Sequence, residues 1–156
     1  MHWTVFAVMT VLTWGLYGPM LGRGAIEFGH DRMKAFLFVG MAYFAVAIVG
    51  PLLYLKLSGK DFDFASGGIK WSLFAGTLGA VGAFTLLIAL SKNPVQGPMG
   101  AAQVMSLIFG GAPVVAALYG ISTMKGGINL SSLDWRFIAG LVMAASGGVM
   151  VTYFKP

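Results

Sequence analysis

Side chains able to contact or position a small molecule are few in this sequence, and they fall in two places. Thr10, Thr13, Trp14 and Tyr17 follow one another at intervals of three and four residues and lead into Gly18-Pro19. On a helix that spacing gathers them into one polar and aromatic stripe. Pro19 has no N–H to give the carbonyl of Gly15, and in lipid a freed carbonyl is tolerated only against protein or a wet cavity. The stripe therefore faces inward, either as a kinked cavity wall offering the Tyr17 hydroxyl, the Trp14 ring and the Gly15 carbonyl, or as the filling of a helix interface. Gln103 and Ser106 form the second group, three residues apart and followed by Gly110-Gly111-Ala112-Pro113. Pro113 frees the carbonyl of Phe109 and the glycines before it weaken the helix, so an interrupted span is expected there. An amide in lipid must find a partner, so Gln103 either touches a ligand or joins two helices.

These groups can hydrogen-bond and stack, but they cannot easily break bonds. The chain has 5 Asp+Glu, 10 Lys+Arg, 2 His and no Cys, which removes disulfides, thiolate nucleophiles and cysteine zinc sites. His2 and His30 stand far apart in sequence, so no metal site is expected, and no nucleophile–base pair is visible. Neither an enzyme nor a cofactor is expected. Glu27, His30, Asp31 and Arg32 cluster between two apolar runs and read as a solvated loop. The run GTLGAVGAF at Gly76 to Phe84 lies inside an apolar stretch, which excludes the strand-to-helix setting a phosphate-binding glycine motif needs.

The elements that must position these residues follow from hydropathy. Of 156 residues, 58% are hydrophobic and only 10% charged, against about 25% charged in a soluble domain. Mean hydropathy is +0.84. The formal charge of +5 does not suggest nucleic acid, because the basic residues come singly between apolar blocks.

Crossing a bilayer takes about 20 apolar residues in a helix, and five such runs are present at about 3–22, 35–55, 71–91, 99–121 and 137–154. No Asp, Glu, Lys, Arg or His lies inside them, so an embedded carboxylate switch is not expected. The runs do not alternate as the strands of an outer-membrane barrel would. The first has no basic region before it and no small-x-small cleavage site, so it reads as a retained span. The segments KDFDFASGG and KGGINLSSLD read as interfacial turns. Span two carries Tyr43 as its mid-span polar group and a kink at Gly50-Pro51. Gly76, Gly79 and Gly82 in span three, and Gly140, Ala144 and Gly148 in span five, are small-residue faces for tight helix crossings. The expected fold is all-α, a single polytopic domain of five transmembrane helices.

Orientation is set by Lys and Arg in short loops. One side would hold Lys56, Lys60, Lys70, Lys125 and Arg136; the other Arg23, Arg32, Lys34, Lys92 and Lys155, five against five. Such a tie leaves two readings. Either a partner or the lipid decides orientation, or the chain inserts both ways and pairs with an inverted copy of itself, as the inverted repeats of many transporters do within one polypeptide.

TWGLYGP at Thr13 to Pro19, ALSKNP at Ala89 to Pro94, APVVAALYG at Ala112 to Gly120 and the closing GGVMVTYFKP resemble EamA-like members of the drug/metabolite transporter superfamily. The likeness covers nearly the whole chain as one five-span repeat. It departs at Tyr119-Gly120-Ile121, where family repeats often carry Leu-Gly-Glu. The resemblance implies an inverted-repeat transporter fold enclosing a cavity for small organic metabolites or drugs, in a bacterial inner membrane. It also implies that a second copy or a paralogous half supplies the missing repeat. Trp14, Tyr17, Tyr43, Gln103 and Ser106 would then line the cavity, with Pro19, Pro51 and Pro113 shaping it. The competing expectation is a membrane subunit without transport of its own, whose glycine faces dock on a larger complex.

Overall fold

The computed structural model describes residues 2–123 and 133–154; Lys125, Lys155 and most of KGGINLSSLD lie outside them. The described residues are helical and contain no strand. Helix α1 spans Trp3–Glu27, α2 Arg32–Phe44, α3 Gly50–Leu57, α4 Ser66–Lys92, α5 Gly97–Ser122 and α6 Trp135–Tyr153. A single π turn, Ala45–Val49, joins α2 to α3, so these three form one span. Among the described residues five helices, counting Arg32–Leu57 as one, are long and apolar enough to cross a membrane. This is the architecture of an integral membrane protein.

The helices outrun the apolar runs by a few residues at most ends, since a helix continues through the interfacial zone until something stops it. Arg23 and Glu27 lie in the last turns of α1, and Lys70 lies in the second turn of α4. Ser66-Gly67-Gly68, expected as part of a turn, instead opens α4. Between α1 and α2 the chain reverses through Gly29 and His30, both at φ +68°. Asp31 then caps α2, its carboxylate accepting from the N–H of Met33 at 3.0 Å and of Lys34 at 3.2 Å, which satisfies two of the donors a helix start leaves open.

Proline acts differently at its three mid-helix positions. The interruption expected at Pro113 does not occur: α5 runs unbroken through it, as α1 does through Pro19. One missing N–H removes one rung, and the rungs on either side hold the helix. At Gly50-Pro51 the departure from α geometry comes one turn earlier, as the π turn, which widens the coil where the proline ring would press on the carbonyl below.

The chain forms two compact units: one holds α1 up to Pro19 and everything from Asn93 on, the other Met20–Lys92. In the second unit, Ala35 is buried and lies 4.0 Å from where a Cβ on Gly24 would stand. Phe28 and Phe38 stack at 5.5 Å, and Phe36 of α2 meets Phe84 of α4 at 6.2 Å. Leu21, Leu86, Leu87 and Leu90 are its most enclosed large side chains.

In the first unit α5 and α6 run antiparallel and cross at glycine. A Cβ on Gly110 would sit 2.7 Å from the carbonyl oxygen of Ala144 and 3.2 Å from the Cα of Gly148, and one on Gly148 would fall on the carbonyl oxygen of Ser106. Only hydrogen fits there, so the backbones touch, as small-residue interfaces in lipid allow. Gly18 of α1 makes a similar approach to α5, where its Cβ would lie 3.1 Å from Cγ of Met105 and 3.7 Å from Cβ of Ala101.

Candidate functional site

The first unit brings together most of the residues singled out by type and spacing. On α1, Thr10 and Thr13 are exposed and donate their hydroxyls to their own helix, to the carbonyls of Phe6 and Met9 at 3.0 Å. The stripe is therefore less polar than its composition, because each hydroxyl proton is already used. Trp14 is 46% exposed. Its ring meets Tyr17 at 6.1 Å and Phe109 of α5, edge to face, at 5.9 Å. Tyr17 is half-buried. The aromatic group thus bridges α1 and α5 while leaving one side of Trp14 open.

Gln103 is 5% exposed, and its side chain is engaged at both ends. Its Oε1 accepts from Asn93 Nδ2 and its Nε2 donates to the Thr152 carbonyl, both at 3.4 Å. Thr152 returns the link, its hydroxyl donating to the Gln103 carbonyl at 3.0 Å and to that of Gly148 at 2.8 Å. Asn93 also donates to the Gly100 carbonyl at 3.1 Å and accepts from the Val95 N–H at 3.0 Å. Gln96 donates to the Asn93 carbonyl. This network ties the connector before α5 to α5 itself and to the last turn of α6. An amide engaged at both ends in this way holds helices together.

Asn93 and Thr152 were not singled out in the sequence. Thr152 was within reach, since Ala144, Gly148 and Thr152 continue one face at intervals of four. Asn93 offered no such spacing, because it lies in a connector. Ser106 is half-buried beside the crossing, with its carbonyl against Gly148. Tyr43 belongs to the other unit and is exposed on α2.

On the other side of the Gly110–Gly148 crossing, α5 and α6 leave a cleft of ≈ 510 Å³, lined by Val114, Leu118, Ile121, Phe137, Leu141 and Val149 among others. Ser146 is its one polar side chain, and its hydroxyl bonds the Met143 carbonyl at 3.2 Å. None of the five cavity candidates lines this cleft. Its chemistry suits hydrocarbon rather than a polar solute. Among the described residues no three His, Asp or Glu stand close enough to hold a metal ion.

Compared with models of protein families, with curated proteins and with solved structures, the chain matches none of them. What defines the molecule is thus its own geometry: an integral membrane protein with five apolar helices among its described residues, an aromatic group on α1 and α5 and a buried amide network at one end of the α5–α6 pair.

Proposed function

We propose that the chain is half of a membrane transporter for small, mainly uncharged or weakly polar organic solutes, completed by a second copy inserted in the opposite direction. The observation that carries this reading is the face of α1 on which Thr10, Thr13 and Trp14 remain exposed and Tyr17 half-buried. With the Thr hydroxyls bonded to their own helix, it is the polar tip of the exposed Trp14 ring that suits this face to another protein chain or to solute better than to lipid alone. Two further features support it. The five-against-five division of basic residues favours neither orientation, and span two has none of its most apolar window buried within the chain. The resemblance to EamA-like transporters supplies the cargo class and the bacterial inner membrane, while residue type and spacing make Trp14, Tyr17, Tyr43, Gln103 and Ser106 the candidate contacts for cargo.

A second reading has an observation of its own. Gly76, Gly79 and Gly82 on α4 have nothing within 4 Å of an added Cβ, an open small-residue face of the kind that docks on another helix. It suits a non-transporting subunit of a larger complex. The experiment that separates the two places paired reporters, active on opposite sides of the membrane, at the C-terminus at low expression, followed by purification in mild detergent. Signal from both sides and a dimer of this chain alone are expected. Signal from one side overturns the self-inverted dimer, and a stoichiometric foreign partner overturns the transporter in favour of the subunit.

A further inference from the structure

We infer that the wall of span two around Val46 and Gly50 faces water inside the membrane rather than lipid, and that the Val46 carbonyl is an acceptor for water or for a cargo bearing an N–H or O–H group. The inference begins with the hydrogen-bond register. In an α-helix the Val46 carbonyl would accept from the N–H of Gly50, four residues on. Here that N–H is diverted to Ala45. In the widened register the donor would be the residue five on, which is Pro51 and has no N–H. Neither register gives Val46 a donor.

The position makes that absence matter. Val46 lies near the middle of the Arg32–Leu57 span, the most apolar of the five by mean hydropathy at 2.2, and is 75% exposed. A bare carbonyl is not left in hydrocarbon, and irregular backbone at membrane depth is found where it is buried in protein or lines a water-filled cavity.

A packed second copy would have to supply the donor from a short set of groups, the Trp14 indole N–H and the Tyr43 hydroxyl among them. The hydroxyls of Thr10, Thr13, Thr77 and Thr85 already donate to their own helices, and the Gln103 amide donates to Thr152. Water has donors to spare. The absence of a side chain at Gly50 also leaves room beside the turn: an added Cβ there would meet only the Ala45 carbonyl oxygen, at 3.9 Å. As a route for cargo, this wall rests on the transporter reading; as a water-facing wall it does not.

The absence of cysteine from the sequence gives a direct test. Val46→Cys and Gly50→Cys, each the sole cysteine in the full chain, are treated in intact membranes with a membrane-impermeant maleimide. Leu57→Cys at the helix end and Leu78→Cys in the middle of α4 serve as the exposed and lipid-depth comparators. Maleimide reacts with the thiolate, which forms in water and is suppressed in apolar surroundings, so labelling at Val46→Cys or Gly50→Cys should be about tenfold or more faster than at Leu78→Cys. Rates at both positions no faster than at Leu78→Cys, with Leu57→Cys reacting, overturn the inference. Should one variant fold poorly, the other carries the test, with Ala47→Cys in reserve. Labelling without solute movement would sink the transporter reading and leave the water-facing wall standing; solute movement without labelling would do the reverse.

Discussion

Gly110 of α5 and Gly148 of α6 meet backbone to backbone, with the position of an added Gly110 Cβ only 3.2 Å from the Gly148 Cα. The crossing brings Ser106 and Ala144 into contact distance on either side and divides the pair into a polar end, at Gln103 and Thr152, and an apolar cleft beyond Val114.

Gly148→Leu should separate α5 from α6, because the new side chain has the Ser106 carbonyl in its place and backbone cannot yield as a side-chain tip can. A loss of at least about 1–3 kcal/mol is expected, read as a lower melting temperature in detergent. Gly79→Ala is the control, since nothing lies within 4 Å of its Cβ. It should leave fold stability unchanged or raise it by up to about 1 kcal/mol. A weaker dimer at unchanged fold stability would place a partner on that face.

Thr152→Val removes the hydroxyl that donates to the carbonyls of Gln103 and Gly148. The cost should be about 0.6–1.7 kcal/mol, the range for interhelical hydrogen bonds in membranes. Combined with Gln103→Leu, the two losses should fall short of additive, because they dismantle one network. Additive losses in a double-mutant cycle would show that the two residues act separately.

Tyr17→Ala and Trp14→Ala should lower uptake or efflux while leaving the dimer intact. Trp14→Phe should keep more activity, since an aromatic ring still meets Phe109, a contact worth about 0.5–1.5 kcal/mol. Size-exclusion chromatography beside the transport assay decides the matter. If the alanine variants no longer assemble, these rings are structural and the cavity assignment falls.

Asp31→Ala should cost about 1 kcal/mol through loss of the α2 cap. Lys34→Ala should change little, although its ammonium lies 3.7 Å from the Asp31 carboxylate, because the pair is exposed and solvent screens it. Hydrogen exchange at the N–H groups of Met33 and Lys34 reads the first effect directly: both should exchange faster in Asp31→Ala and unchanged in Lys34→Ala.

The number and place of the membrane helices were legible in the sequence because they depend on a local sum. A run of uncharged residues between Lys34 and Lys56, or between Lys70 and Lys92, marks a segment that favours lipid wherever its neighbours sit. The small-residue face of Ala144 and Gly148 was legible for a similar reason, since spacing alone puts both on one side of a helix. Which glycines are used was not: Gly110 and Gly148 share one crossing, while Gly76, Gly79 and Gly82, equally regular, stand open. Composition cannot distinguish them, because a close approach is a property of two helices together. The same holds for Gln103, whose partners Asn93 and Thr152 lie 10 and 49 residues away in sequence. At Pro51 the sequence dictated a missing N–H, and the folded backbone decided how the helix absorbs it, moving the Gly50 bond down to Ala45.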